Sequence, residues 1–244
     1  MSAPTLFVTG TDTGIGKTRA AAALLYRGRQ EGLRVGGFKP LASGAESTAF
    51  GLRNEDALAL MRAAGEVDAA GGEIYRVVNP FCFAPAIAPH LAAAEVGIEV
   101  SLEALDHRWQ ARTAGLDLVV VEGAGGWLVP INAHQSYADW VSTHRWPVVL
   151  VVGMRLGCIN HALLSAEAIC RRTPMAGWIA NRLPPLMPRL EENLQTLRRW
   201  MPVPCLGEIG CGQPAVAAAA DFDWPRLQAV SGDGKRFTAA SRPI

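Results

Sequence analysis

A glycine-rich segment near the start of the chain joins an apolar run to an amphipathic stretch. The apolar run is Thr5–Gly10, the amphipathic stretch is Lys17–Gly32, and the segment reads Gly10-Thr11-Asp12-Thr13-Gly14-Ile15-Gly16-Lys17-Thr18. Small residues between a strand and a helix let backbone N–H groups turn inward around a phosphate, beside the positive end of the helix dipole. The segment therefore predicts a phosphate-binding loop that opens a helix.

Two side chains of this loop have the chemistry that a nucleoside triphosphate with magnesium requires. The Lys17 ammonium can reach the β- and γ-phosphates, and the Thr18 hydroxyl can ligate Mg²⁺. The spacing departs from the common G-x-x-x-x-G-K-[ST] pattern, because Thr11 stands where the first glycine is expected and Gly10 lies one residue earlier. A glycine-rich turn without a ligand is the alternative interpretation.

Apolar runs alternate with helical stretches through the rest of the chain. Runs without polar alternation indicate strands buried on both faces, and strand–helix alternation indicates a parallel sheet. We predict an α/β fold of the P-loop NTPase type, a doubly wound and mostly parallel sheet with helices on both faces. Residues 1–230 would form one domain and residues 231–244 a flexible C-terminal tail. The predicted strands are Thr5–Gly10, Val35–Lys39, Leu116–Glu122, Val148–Val152, Met175–Ala180 and Cys205–Ile209. The predicted helices are Lys17–Gly32, Glu55–Ala64 capped by Asn54, Ser101–Ala114, Tyr137–His144, Asn160–Arg172 and Leu190–Met201.

Polar residues stand at the carboxyl ends of these strands, where ligands of such sheets bind. Glu122 ends a buried strand and could hold Mg²⁺ directly or through water; a solvated charge is the alternative. Asp56 could complete the magnesium shell or could be a helix first-turn acid. Asn181 could meet adenine through its amide. Lys39 ends the second predicted strand, and it is one of only three lysines among 23 basic residues.

Composition narrows the classes of function. Apolar residues make up 50% of the 244 residues, and the formal net charge is +1, which favours neither nucleic acid nor an anionic membrane as a partner. The longest apolar runs, such as Val148–Val152, are far shorter than a membrane span, and we recognise no signal peptide. Five widely spaced cysteines predict reduced, mostly buried thiols and a cytoplasmic location.

Five motifs together resemble those of the dethiobiotin synthetases, in the order of that family and from about residue 5 to 210. They are Thr9-Gly-Thr-Asp-Thr-Gly-Ile-Gly-Lys-Thr18, Lys39-Pro-Leu-Ala-Ser-Gly44, Glu122-Gly-Ala-Gly-Gly126, Gly157-Cys-Ile-Asn-His161 and Gly177-Trp-Ile-Ala-Asn181. The resemblance implies a homodimer that makes dethiobiotin from 7,8-diaminopelargonic acid, CO2 and MgATP. It also implies a carbamate that becomes a carbamic-phosphoric mixed anhydride.

The resemblance implies roles for individual residues. Lys39 would be the active-site lysine, with Thr13, Lys17 and Ser43 around the carbamate and the transferred phosphate. Thr18, Asp56 and Glu122 would hold Mg²⁺. Asn160, from the neighbouring subunit, would help bind the carboxylate of the diamine, and Ser43 would be the other substrate-binding residue. The nucleotide would contact Gly14, Ile15, Gly16, Lys17, Thr18, Arg19, Asp56, Glu122, Gly125, Asn181, Gly210, Cys211 and Gly212. Gly14 and the turn at 210–212 depart from the pattern of the family.

Two other classes of protein share parts of this pattern. A switch-type P-loop ATPase of the partitioning or septum-positioning kind would use ATP to dimerise, but such proteins carry an extra lysine early in the loop, where this chain has Thr11, Asp12 and Thr13. Amidotransferase-type synthetases that act on corrinoids need a glutaminase domain, for which 244 residues leave little room.

Overall fold

The computed structural model describes residues 3–68 and 72–229. Its strands are β1 (Thr5–Gly10), β2 (Val35–Phe38), β3 (Leu41–Ala42), β4 (Glu46–Thr48), β5 (Gly51–Arg53), β6 (Phe81–Cys82), β7 (Leu118–Gly126), β8 (Val148–Met154), β9 (Met175–Arg182) and β10 (Cys205–Ile209). Its α-helices are α1 (Lys17–Gln30), α2 (Glu55–Ala64), α3 (Glu73–Val78), α4 (Pro89–Glu95), α5 (Leu102–Thr113), α6 (Tyr137–His144), α7 (Cys158–Cys170), α8 (Leu190–Trp200), α9 (Ala215–Ala218) and α10 (Trp224–Ala229).

Six strands form the central sheet in the order β10-β9-β8-β1-β7-β2, and every pair of neighbours is parallel. The chain leaves β1 through α1, reaches β2 at one edge, and later returns to β7, which lies between β1 and β2. From β8 onward it builds the other side of β1. The change of direction at β1 leaves a crevice beyond the carboxyl ends of β1, β2 and β7, as is typical of doubly wound sheets. The predicted fold class is confirmed.

Helices cover both faces of the sheet and bury its side chains. Helices α1 and α2, with the segments that follow β10, pack on one face through Leu24, Leu60 and Trp224. Helices α5 to α8 pack on the other, where Trp140 and Ile169 lie in the core. Strands β1 and β8 are buried along their whole length, and neither sequence alternates between polar and apolar residues.

Local side-chain capping fixes where several helices begin. The Asn54 side chain accepts hydrogen bonds from the backbone N–H groups of Asp56 and Ala57, so α2 has the predicted bounds. Ser101 caps α5 by accepting from the N–H of Ala104. Ser136 and Asp139 form a capping box at the start of α6.

Some elements differ from the sequence-based expectation. Strand β7 continues past Glu122 to Gly126, where it pairs with Gly10, because the small residues let the two strands approach. Helix α7 begins at Cys158, so Asn160 lies in its first turn. The short elements α3, α4 and β3 to β6 were not predicted. The tail predicted over 231–244 lies outside the described residues.

Two further findings concern the environment of the protein. Within the described residues, no helix combines the length and apolar character that crossing a membrane requires. All five cysteines are free, but only Cys158 is buried and Cys170 and Cys211 are exposed, so the expectation of mostly buried thiols was wrong.

Candidate active site

A cavity of about 820 Å³ opens at the carboxyl ends of β1, β2 and β7. One wall is the phosphate loop and the start of α1, and another is Lys39 with Glu122. The opposite rim is residues 86–89, which lead into α4. Among the predicted site residues, those that line the cavity are Thr13, Gly14, Gly16, Lys17, Thr18, Lys39, Ser43, Asp56, Glu122 and Gly125.

The phosphate loop depends on two glycines in the left-handed region. Gly14 has φ 72° and Gly16 has φ 87°. A Cβ on Gly16 would lie 2.1 Å from Asn181 Nδ2, whereas a Cβ on Gly14 would meet no atom within 4 Å. Asn181 Nδ2 donates to the carbonyl oxygen of Ile15 at 2.7 Å, so this amide ties the loop to the end of β9. Gly16 precedes α1 without a side-chain cap, which leaves the first N–H groups of the helix free of a capping side chain.

Lys39, Asp56, Glu122 and Thr18 form one polar cluster at the base of the cavity. The β2–β7 register pairs Phe38 with Val121, which places Lys39 beside Glu122. Lys39 Nζ lies 2.8 Å from Glu122 Oε1 and 2.8 Å from Asp56 Oδ2. The Thr18 hydroxyl lies 2.6 Å from Asp56 Oδ1 and 2.9 Å from Glu122 Oε1, so residues from four separate elements converge here.

Burial and charge pairing shape the protonation of this cluster. Burial alone would lower the pKa of Lys39, but the carboxylates of Glu122 and Asp56 raise that pKa above its usual value. Burial also opposes ionisation of Asp56, and Lys39 overcomes this and lowers the pKa of that carboxyl. The pKa of Glu122 is raised, because its complete burial outweighs the attraction of Lys39. Lys39 is therefore an ammonium that can hold an anion rather than a base.

Lys17 is a second buried ammonium in the same cavity. Its Nζ donates to the backbone oxygen of Asp12 at 2.9 Å. Burial, followed by repulsion from Lys39, lowers the pKa of Lys17 to about 8. The Asp12 carboxylate pairs with Arg155 from the segment after β8, so the loop is also tied to that strand end. An anion in the cavity would relieve the repulsion between the two ammonium groups.

The donor set of the cluster fits a magnesium ion that shares its shell with phosphate. Glu122 Oε2 is buried and has no hydrogen-bond partner among the described residues, so it is an unused acceptor. Within the described residues, no three His, Cys, Asp or Glu side chains converge on a metal position. Two carboxylates and a hydroxyl match the hard oxygen ligands of Mg²⁺, which takes its remaining ligands from phosphate and water.

Other predicted residues lie outside this cavity. The Ile15 side chain is buried against Gly10 and Gly153, so only its backbone is placed to meet a nucleotide. Arg19 is half-buried in the first turn of α1, and Asn160 is exposed on α7. The 210–212 segment is a turn held by Gln213, whose Oε1 accepts from the Gly210 N–H at 2.7 Å, and Cys211 is exposed in it. Their roles stay predictions.

The structure also adds residues that the sequence analysis did not single out. Asn54, predicted only as a helix cap, lines the cavity. Behind it lie Tyr75 and Asn79, both 2% exposed and joined by a hydrogen bond. An asparagine within an apolar stretch and directly before Pro80 was the signal that could have drawn attention to this segment.

Comparisons with known proteins agree with the motifs. Residues 4–214 match a family model described as an AAA domain. The chain is 52% identical over 225 residues to "ATP-dependent dethiobiotin synthetase BioD" of Pseudomonas paraeruginosa, covering 90% of this chain and 96% of that protein. It is 48% identical over 220 residues to the protein of the same name from Xanthomonas oryzae pv. oryzae, again covering 90% and 96%.

A solved structure supports the fold. The ParA family ATPase from Chlorobium tepidum TLS matches with a TM-score of 0.51 and 14% identity, covering 96% of this chain and 93% of that one. At this identity the likeness concerns the fold alone.

Proposed function

The chain belongs to the ATP-dependent dethiobiotin synthetase family, and on that premise we propose that it closes the ureido ring of dethiobiotin from 7,8-diaminopelargonic acid, CO2 and MgATP. It is an ATP-dependent enzyme of biotin biosynthesis. The observation that carries the proposed ring closure is the convergence of Lys17, Lys39, Asp56 and Glu122 on the cavity that the phosphate loop lines.

The phosphate half of the reaction belongs to the loop. Its inward N–H groups and Lys17 bind the phosphates of ATP, and Thr13 lines the same wall. Thr18, Asp56 and Glu122 would hold Mg²⁺, which when bound supplies positive charge against the phosphate oxygens. The two ammonium groups and the two carboxylates cancel in formal charge. The loop N–H groups are therefore needed to attract a polyanion.

The acceptor half of the reaction centres on Lys39. One amine of the diamine captures CO2 as a carbamate, and a carbamate oxygen attacks the γ-phosphorus while the bond to ADP breaks. The second amine then attacks the carbonyl carbon of the mixed anhydride, expels phosphate and closes the ring. Lys39 and Ser43 hold the anionic carbamate in line with the phosphate, so the contribution of the protein is positioning and charge stabilisation.

Asn181 is the proposed reader of the adenine ring. Its amide nitrogen is engaged by Ile15, while its Oδ1 is buried and has no hydrogen-bond partner among the described residues. That oxygen can accept from the exocyclic amino group of adenine, which guanine lacks at the equivalent position. A preference for ATP over GTP that Asn181→Leu removes would support this role.

The proposed enzyme is a cytoplasmic homodimer in which Asn160 serves the neighbouring site. The exposed position of Asn160, away from the cavity of its own subunit, supports this arrangement. Mixing inactive Lys39→Arg and Asn160→Leu subunits tests it. Each mixed dimer would contain one intact site, so random exchange would restore about a quarter of the wild-type activity. No recovery after verified exchange would contradict the shared site.

The central test is ADP release measured with and without the diamine and bicarbonate. We expect release to require both, and Lys39→Arg to abolish it, because the planar guanidinium cannot take the place of a compact ammonium. Arg171→Lys is the matched control, since Arg171 forms an exposed pair with Glu167 on α7. Vigorous ATP hydrolysis without the diamine, stimulated by DNA or lipid, would instead favour the switch-type ATPase.

A further inference from the structure

We propose that Tyr75 and Asn79 are positioning residues that hold Lys39 and the start of α2 at a fixed separation through one buried hydrogen-bond chain. The inference rests on the proposed function, because the hydrogen-bond chain sets the separation between Lys39 and Asp56, two residues of the proposed active site. Neither Tyr75 nor Asn79 lines the cavity. Their effect on the reaction would be indirect.

One end of the hydrogen-bond chain binds the backbone of Lys39. Lys39 lies just after β2, so ladder bonds of the sheet do not hold it. Its N–H donates to the carbonyl oxygen of Val78 at 2.8 Å, and its own carbonyl oxygen accepts from Asn79 Nδ2 at 2.6 Å. The end of α3 therefore clamps Lys39 on both sides.

The second end of the chain reaches the first turn of α2. The Tyr75 hydroxyl donates to Asn79 Oδ1 at 2.9 Å and accepts from the backbone N–H of Asn54 at 2.6 Å. Asn54 Oδ1 accepts from the N–H of Asp56 at 3.1 Å, and Asn54 Nδ2 lies 3.4 Å from the carbonyl oxygen of Ser43. Three residues of the proposed site thus attach to one network.

The direction of every hydrogen bond in this chain is determined by its ends. The Lys39 carbonyl can only accept and the Asn54 N–H can only donate, so the Asn79 amide presents its Nδ2 to Lys39 and its Oδ1 to the Tyr75 hydroxyl, which also lies 3.4 Å from Cys82 Sγ. Burial raises the pKa of the Tyr75 phenol above its usual value, which keeps its proton in place. Tyr75 and Asn79 are 2% exposed, so water cannot substitute for a lost partner without rearrangement.

The consequence for the reaction follows from the contact between the Lys39 ammonium and the Asp56 carboxylate. Lys39 Nζ and Asp56 Oδ2 lie 2.8 Å apart, and they extend from the two backbone segments that the chain connects. A displacement of one segment by about 1 Å would move the ammonium relative to the magnesium ligands, and such misplacement can cost about a hundredfold in rate. Loss of a single bond in the network should cost less than that.

The test compares Tyr75→Phe and Asn79→Ser with Thr173→Val. Thr173→Val is the matched control, because Thr173 is buried and its hydroxyl donates to the Trp146 carbonyl at 2.9 Å, before the start of β9 and so at the opposite end of the sheet. We measure kcat and the KM for ATP by diamine-dependent ADP release. We also label lysine with ¹⁵N, since a chain with only three lysines gives three backbone amide signals, of which Lys17 serves as the internal reference.

We expect Tyr75→Phe to lower kcat about tenfold while the KM for ATP stays within about twofold, because the Tyr75 hydroxyl bonds Asn54 and Asn79 rather than the phosphate loop. The Lys39 signal should shift and the Lys17 signal should not, whereas Thr173→Val should change neither kcat nor the Lys39 signal. Wild-type kcat in Tyr75→Phe, or an unshifted Lys39 signal, would overturn the proposal. If Asn79→Ser does not fold, Tyr75→Phe decides alone. Absence of diamine-dependent release by the wild-type protein would refute the proposed function instead, and the Lys39 signal would still test the network.

Discussion

The contact between Gly16 and Asn181 allows a sharp prediction about the phosphate loop. Gly14 and Gly16 both have positive φ, but only Gly16 faces a side chain. In Gly14→Ala the cost is backbone strain alone, about 1–2 kcal/mol. In Gly16→Ala the new Cβ would lie 2.1 Å from Asn181 Nδ2. It must therefore displace the Asn181 amide and break the hydrogen bond from that amide to the Ile15 carbonyl oxygen.

The second cost can be sized from the same geometry. Leaving a buried amide or carbonyl without its partner costs about 1–3 kcal/mol. Gly16→Ala should therefore lower the free energy of unfolding by about 2–5 kcal/mol, against about 1–2 kcal/mol for Gly14→Ala. In an Asn181→Ala background the amide is gone, so Gly16→Ala should cost no more than Gly14→Ala does.

Urea unfolding followed by tryptophan fluorescence provides the measurement. The four proteins of the Gly16/Asn181 cycle, with Gly14→Ala as the reference for strain, give the coupling energy directly. We expect a coupling of about 1–3 kcal/mol. Equal losses of unfolding free energy in the two glycine variants, or no coupling to Asn181, would refute the idea that the Asn181 amide stabilises the loop.

Three other changes have expected outcomes. Glu122→Gln keeps the size of the side chain but removes a proposed magnesium ligand and one of the two carboxylate partners of Lys39, so the Mg²⁺ concentration for half-maximal activity should rise at least about tenfold; an unchanged magnesium titration would argue against Glu122 as a ligand. Asn54→Ala should lower the free energy of unfolding by about 1 kcal/mol through the lost helix cap, as urea titration would measure; no loss would mean that the cap contributes nothing. The hydrogen bonds from Arg34 lower the pKa of Asp117, so this carboxylate contributes stability above about pH 4 that is lost as the pH falls through its lower folded-state value. Asp117→Asn should thus be less stable than the wild type at pH 7 and equally stable in strong acid; a difference that persists in acid would contradict the linkage.

Much of the fold could be predicted because local signals agreed with tertiary burial. Strands β1 and β10 have the predicted bounds, and α2 and α6 begin and end where their caps and apolar spacing indicate. Helices α3 and α4 were missed because they have only 6 and 7 residues, too short to be stable without tertiary packing. The hairpin β4–β5 was missed because its residues are largely exposed and carry no apolar alternation.

The candidate site could be predicted where a charged residue stands at the carboxyl end of a predicted strand. Lys39 and Glu122 could be placed at one edge by the rule for parallel sheets, and the structure brings them within 2.8 Å. The hydrogen bond between Asn181 and the phosphate loop could not be predicted, because it depends on how far β9 extends along the sheet relative to β1. The network through Tyr75 depends on a short helix whose position no local pattern determines.

The two halves of the cavity rest on different parts of the molecule. The loop and Glu122 belong to the six-stranded sheet, whereas residues 86–89 and Ser43 are carried by segments around the separate β3–β6 pair, joined by backbone bonds such as Gly44 N–H to the Pro85 oxygen at 3.0 Å. Under the proposed function, the rim that receives the amine can therefore be exchanged for one that admits a different amine, while the loop that binds the triphosphate is kept.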